Sequence, residues 1–312
     1  MKSVFFCVTL LWSVGLLPAA EAQDLHFWLP ERPIPTAVWF PAAAGMIKDQ
    51  IYLVGGYNSS GATVAENQIY SGYSNSWSTG TPMPALTAHA AGTVAYTTLY
   101  VFGGSQDGLT CDNAVFAYDS KKDAWSLKAA MPTARCGAVA AVKKNIIYVI
   151  GGYSNGQRLK TVEAYDPVTN RWTEKAPLLV GKSEPAVGLV KDQIVAAGGY
   201  TQFGVTADNE AYDPATDSWT TMEPSPVASS ASCFGVIGQL YVAGGYSGGS
   251  GAESFRLSSD SWTTQPSMPQ PTMGAGSVAA YQSLFCIGGA SSDDGTVLNT
   301  VQVLYAGIGG GI

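Results

Sequence analysis

The sequence predicts an all-β protein, a six-bladed β-propeller built from four-stranded antiparallel blades. Three observations carry this expectation. A glycine pair recurs at Gly55-Gly56, Gly103-Gly104, Gly151-Gly152, Gly198-Gly199, Gly244-Gly245 and Gly288-Gly289, with successive offsets of 48, 48, 47, 46 and 44 residues. An aromatic residue follows at Tyr70, Tyr118, Tyr165, Tyr212 and Phe255, and a Trp stands seven residues after each, at Trp77, Trp125, Trp172, Trp219 and Trp262. The sixth unit then stops one strand short, while a strand without a unit of its own stands near the N-terminus.

The chain opens with "MKSVFFCVTLLWSVGLLPAAEA". Lys2, the apolar run from Val4 to Leu17 and the small residues Ala20 and Ala22 form the three regions of a secretory signal, with Gln23 as the expected mature start. The apolar run is shorter than the ~20 residues a membrane-spanning helix needs. The expected product is exported, secreted or periplasmic, with no membrane span. The expected division is residues 1–22 as signal, 23–305 as the propeller and 306–312 as a glycine-rich tail.

One unit shows how the strands arise. In the third, "GAVAAV", "IIYVIGG", "TVEAYD" and "RWTEKA" read as four strands, joined by "KKN", by the 153–160 loop and by "DPVTN". Asp then Pro is a turn with a mechanism, because Pro presets φ and the Asp carboxylate bonds its own downstream backbone. The glycines end the second strand where positive φ or close packing excludes a Cβ. A lone sheet of this kind cannot bury both faces. Six arranged radially bury each face against a neighbour, with Tyr and Trp filling the gaps.

Ring closure is readable too. The sixth unit ends at "NTVQVLYAGIGGGI" without a Trp, and "HFWLPERPIPTA" matches "SWSTGTPMPALTA" and "AWSLKAAMPTA", which makes Trp28 the sixth Trp. The N-terminal strand is therefore expected to complete the last blade and remove the open sheet edges.

The glycine pairs, the spaced Tyr and Trp, the "YDPVTNRW" and "YDPATDSW" turns and the "MPTARCGAV" stretch resemble the kelch repeat, over essentially the whole mature chain. In such propellers the resemblance implies that ligands meet the face made by the loops between strands two and three and by the starts of strand one near the axis. Residues that break the repeat there are the candidates for function.

Sixteen residues before each glycine pair stand Trp39, Thr87, Arg135, Lys182, Ala228 and Thr272; two further on come Pro41, His89, Gly137, Glu184, Ser230 and Gly274. The candidate ligand-binding set is Trp39, His89, Arg135, Lys182 and Glu184, with Arg158 and Phe203 from the loops. The plain alternative is a solvated loop set around a water-filled channel. Arg135 also has a plain reading, because the repeat often carries Arg there.

The expected function is a binding module for a glycan or an extracellular protein, acting through the loop face and the axial mouth, as a monomer. Loop aromatics such as Tyr57, Tyr153, Tyr200, Phe203 and Tyr246 would stack on sugars or anchor a peptide. The alternative, an enzyme, rests on similarity to exported kelch proteins that interconvert sialic-acid anomers. It would use Glu184 as acid and base and Arg135 as a carboxylate clamp.

Other chemistries find no residues. Copper radical chemistry of the galactose-oxidase kind needs two His ligands and a Tyr-Cys crosslink, and only His26 and His89 are present. The Glu, Asp and His iron motif of plant specifier proteins is absent, as is a G-x-S-x-G elbow, and His89 shows no obvious carboxylate orienter. No cofactor or metal is expected. A net charge of −7 with 16 scattered Lys and Arg argues against nucleic acid as a partner.

Four cysteines follow the signal. Cys111 and Cys136 fall on one face in adjacent blades and could form a disulfide. Cys233 and Cys286 fall in strands and are expected as buried thiols. Asn58-Ser59-Ser60 is a glycosylation sequon, relevant in a host that glycosylates secreted proteins.

Overall fold

The computed structural model describes residues 26–247 and 249–306; the signal stretch and positions 307–312 of the tail lie outside the described residues. Six four-stranded antiparallel sheets are arranged as blades. Blade 3 is typical, with strands Val139–Lys143, Ile146–Ile150, Val162–Asp166 and Arg171–Lys175 from the axis outward. Blade 6 takes three strands from the C-terminal end, and its outermost strand is Phe27–Glu31, paired antiparallel with Val301–Tyr305. Closure by the N-terminal strand is thus observed.

The apolar core is divided among the gaps between blades, one cluster per gap. Tyr100, Phe102, Val149 and Tyr165 fill the gap between blades 2 and 3. Ile51, Leu53, Phe285 and Val303 fill the one where blade 6 meets blade 1. Period-two alternation sends successive side chains of a strand into opposite gaps, so each blade serves two clusters.

Three closed rings of hydrogen bonds run around the axis among the described residues. In the first, the second glycine of each pair donates its N–H to a backbone carbonyl of the next blade: Gly56 to Thr87, Gly104 to Arg135, Gly152 to Lys182, Gly199 to Ser229, Gly245 to Thr272 and Gly289 to Val38, at 2.8–3.0 Å. The first glycine of each pair has φ between 61° and 65°. A Cβ there would lie less than 3.0 Å from the same carbonyl oxygen. Both the backbone angle and the close approach therefore demand glycine.

The second ring is at the rim. Each blade's Trp donates its indole N–H to a carbonyl just beyond the outer strand of the preceding blade: Trp28 to Pro266, Trp77 to Arg32, Trp125 to Thr81, Trp172 to Ala129, Trp219 to Ala176 and Trp262 to Glu223. Trp28 plays the same part as the others although it comes from the opposite end of the chain. In blade 5 the residue opposite Trp262 is Leu257, not Phe255, because its outer turn is shorter than the "DPVTN" type.

The third ring surrounds the mouth of the axial cavity. Phe40, His89, Gly137, Glu184, Ala231 and Gly274 each donate a backbone N–H to the carbonyl of the residue before in the circle, at 2.7–3.2 Å, and Phe40 closes it by donating to Gly274. All six have φ between 45° and 62°. By offset from the glycine pair, Pro41 and Ser230 are the counterparts of these residues in blades 1 and 5. Pro41 has no N–H to donate, so Phe40 takes the place and Pro41 is an extra residue before the first strand. In blade 5 a single residue, Gly238, turns the inner hairpin, and Ala231 becomes the equivalent position.

Candidate functional site

The inner ring frames an axial cavity of about 370 Å³, lined by the starts of the six inner strands. Most of that lining is Ala, Gly and Val, with the hydroxyls of Thr93, Ser232 and Ser277; its ionisable side chains are His89 and Glu184, which stand with Phe40 at the mouth. The His89 Nδ1 stands 3.1 Å from the Glu184 Oε1. The two come from blades 2 and 4, and meet across Gly137 of blade 3. A Cβ on Gly137 would lie 3.3 Å from the Glu184 carboxylate oxygen and 3.3 Å from Tyr153, so glycine leaves the passage open.

The pair is held from several sides. The Phe40 ring stacks on the imidazole with centroids 3.7 Å apart, and Tyr57 presents to it at 5.6 Å, steeply inclined. The side chains of His89 and Glu184 are 15% and 19% exposed, half-sheltered yet open to a ligand. Facing a carboxylate, Nδ1 donates its proton, and Nε2 makes no hydrogen bond among the described residues. The sequence-based expectation that His89 lacks a carboxylate orienter is thus corrected: Glu184 takes that place. Burial raises the Tyr57 hydroxyl above its ordinary pKa, helped by Tyr153 and Asp107. Burial raises Tyr153 as well, with Glu184 adding to the shift and Arg158 opposing it. Both phenols remain neutral donors at ordinary pH.

Arg135 and Lys182 do not face the mouth. Both are 0% exposed and belong to buried ion pairs under the glycine pairs of their blades. Arg135 pairs with Glu163 and donates to the carbonyls of Gly151 and Thr161. Lys182 pairs with Glu210 at 3.0 Å and donates to the carbonyl of Asp208. Glu163 also accepts from Thr133, and Glu210 from the backbone of Leu179 and Val180, so each carboxylate is satisfied on several sides. In blades 1 and 6 a neutral Gln, Gln68 or Gln302, fills the same strand position and bonds the backbone instead. The clamp role expected for Arg135 is therefore withdrawn. Its charge is consumed within the scaffold.

Trp39 is half-buried beside the mouth, its backbone bridged to Tyr57 and its ring tilted against Phe40 at 5.0 Å. Arg158 stands between Tyr153 and Tyr200, 5.0 Å from each ring centroid. Phe203 is at the tip of a small hairpin in blade 4 and 90% exposed. Asn58 accepts from the backbone N–H groups of Ser60 and Ala62 and from the Ser60 hydroxyl, which makes the sequon a tight turn.

Two disulfides are present. Cys111 and Cys136, with Cα atoms 5.3 Å apart, fasten the blade 2 loop beside the inner ring. Cys233 and Cys286, expected as thiols, are bonded across the gap between blades 5 and 6 with Cα atoms 5.7 Å apart. Their strands face each other across one core cluster, which brings both sulfurs to the same place.

Phe40 is the mouth residue that sequence comparison between blades passed over. The signal was Pro41, since a residue without an N–H cannot join a ring of donors. No helix among the described residues is long and apolar enough to cross a membrane.

No curated protein matches the chain. The solved structure of YjhT is similar, with a TM-score of 0.76 at 18% identity, over 87% of this chain and 95% of that one; at that identity the likeness concerns the fold. The family model of the KLHDC2/KLHL20/DRC7 Kelch-repeats domain matches residues 42–245, more than half of the chain. With the glycine pairs, the Trp ring and six closed blades on record, the chain belongs to the kelch-repeat propellers of that family.

Proposed function

We propose that this propeller is an exported binding module that takes a sugar at its axial mouth. One observation carries the reading: the Phe40, His89 and Glu184 row at the open end of a 370 Å³ cavity. A sugar ring offers one apolar face and several hydroxyls. The aromatic rings of Trp39, Phe40 and Tyr57 suit the face, and the carboxylate, the free imidazole nitrogen and the neutral phenols suit the hydroxyls. A glycan array followed by titration calorimetry tests it. His89→Ala and Glu184→Gln are each expected to weaken binding about tenfold or more, the scale of a hydrogen bond to a charged group. Failure of every sugar to bind, or equal binding by wild type and both variants, defeats the reading.

The unbonded Nε2 of His89 favours a second reading, catalysis of anomer exchange in a sialic-acid-like sugar. In that reading His89 takes the proton of the anomeric hydroxyl as the carbonyl forms and the ring C–O bond breaks, while Glu184 orients the imidazole. Water protonates the released ring oxygen, and reclosure on the other face reverses both transfers. Arg135 has no part in it. Proton NMR of freshly dissolved sugar separates the two readings: exchange no faster than in buffer leaves binding alone.

A further inference from the structure

Two short hairpins stand side by side on the loop face. Tyr153–Ser154 with Gln157–Arg158 belongs to blade 3, and Tyr200–Thr201 with Gly204–Val205 belongs to blade 4. Arg158 joins them, its guanidinium lying 5.0 Å from the Tyr153 and Tyr200 ring centroids. The 178–182 connection lies against the same hairpin. The backbone N–H of Lys182 donates to the Leu159 carbonyl and that of Leu178 to the Lys160 carbonyl, and a Cβ on Gly181 would lie 2.5 Å from the Arg158 carbonyl oxygen.

This contiguous platform exposes an unusual set of side chains. Phe203 at the blade 4 hairpin tip is 90% exposed, and Leu179 and Val180 beside Arg158 are 42% and 37% exposed. The backbone of Phe203 is held, because its N–H donates to the Thr201 hydroxyl, which donates in turn to the Gly204 carbonyl. Among them stand Arg158 and the exposed Lys160. Arg158 forms no ion pair among the described residues, and its Nε is buried without a hydrogen-bond partner. The loops of the other blades on this face carry Asp107, Asp112, Glu253, Asp293 and Asp294. Among the loops between strands two and three, Arg and Lys therefore occur in blade 3 alone, amid apolar side chains, with the exposed Asp208 in the blade 4 loop beside them.

We propose that this platform of blades 3 and 4 is a docking surface for a protein segment that carries a carboxylate between apolar side chains. The two tyrosines fix the guanidinium plane, so little rotamer freedom remains to be lost when a carboxylate pairs with it. Leu179, Val180 and Phe203 gain by covering apolar side chains, which a polyol does not supply. The acidic loops around the platform repel the ends of an acidic partner and fix where its carboxylate lands. The same acidity disfavours an anionic membrane surface.

The test is selection of a random displayed peptide library on the folded protein, without free sugar. Enriched peptides are then measured against Arg158→Glu, Phe203→Ser and a control, Lys121→Glu, in an exposed turn on the opposite face. Melting curves establish that all three remain folded. The expected result is enrichment of peptides with Asp or Glu beside Leu, Ile or Phe, whose affinity drops about tenfold in each platform variant and is unchanged in the control. Three results overturn the proposal: no enrichment, enriched peptides without an acidic residue, or binding that survives Arg158→Glu. The platform lies outside the cavity lining, so a failed sugar titration leaves this outcome unaffected.

Discussion

The His89 imidazole and the Glu184 carboxylate lie 3.1 Å apart although a whole blade separates them. Gly137 makes this contact geometrically available. A methyl group there would press on the carboxylate at 3.3 Å, in a backbone with φ of 58° that L-residues enter at a cost of about 1–2 kcal/mol. Gly137→Ala is therefore expected to lower stability by about that amount and to part His89 from Glu184. The chemical shifts of the His89 ring in NMR report the separation. Unchanged ring resonances would mean that the pair tolerates the methyl group.

Arg135 and Glu163 should behave as scaffold. Removing one partner leaves a buried charge unpaired, so Arg135→Ala is expected to cost about 3–5 kcal/mol. The double change Arg135→Met with Glu163→Leu should cost less, because it leaves no charge behind. Denaturant melts of the single and double variants check the order. A single variant as stable as wild type contradicts the assignment.

The blade tyrosines predict loss of stability in alkali. Burial, then neighbouring groups, pushes Tyr165 up to about 12. Burial likewise raises Tyr118 and Tyr212, each of which donates to an Asp of its own blade, Asp123 or Asp217. Unfolded tyrosine ionises near pH ~10. The folded state holds these phenols protonated beyond that point, so their contribution is complete below pH ~10 and is lost as the pH rises through about 12 for Tyr165. Tyrosinate absorbance should rise in two stages, exposed residues first, with denaturant midpoints falling over the same range.

The Cys233–Cys286 bond closes a sequence separation of 53 residues and ties blade 5 to blade 6. Chain-entropy reasoning assigns a loop of this size about 4 kcal/mol. Cys233→Ser with Cys286→Ser should lower the calorimetric melting temperature and leave sugar titrations at the mouth unchanged. Intact-mass analysis after thiol alkylation, with and without reductant, checks that both bonds form in the isolated protein.

Removing the strand Phe27–Glu31 should leave the outward edge of Val301–Tyr305 unpaired. It also takes Trp28 from the rim ring and Glu31 from the hydroxyls of Tyr70 and Tyr305. An exposed strand edge pairs with other chains. Size-exclusion chromatography should show larger species, and addition of the strand as a peptide should reverse them.

The repeat was legible because its marker residues do the same physical job in every blade. The glycine pair meets the next blade's carbonyl, and the Trp reaches the preceding blade's last carbonyl. From the sequence Arg135 and Lys182 read as mouth residues, because offset from the glycine pair gives position along the chain, not direction of the side chain. Their partners were nevertheless in view: "VEAYDP" and "NEAYDP", in the blades that carry those two cations, place Glu163 and Glu210 at the position where other blades have Gln or Phe. The His89–Glu184 contact was not legible. It depends on a neighbour two repeats away and on a missing methyl group in between, and comparison of equivalent positions does not register either.

The inner ring has an electrical consequence. Its six amides all point the same way around the circle, each N–H toward the carbonyl behind it, so their dipoles run along the circumference and cancel at the centre. A helix N-terminus brings a standing positive field to its ligand; this mouth brings none from its ring amides. Its preference for charge is set by side chains alone, and exchanging His89 or Glu184 could invert it without disturbing the frame.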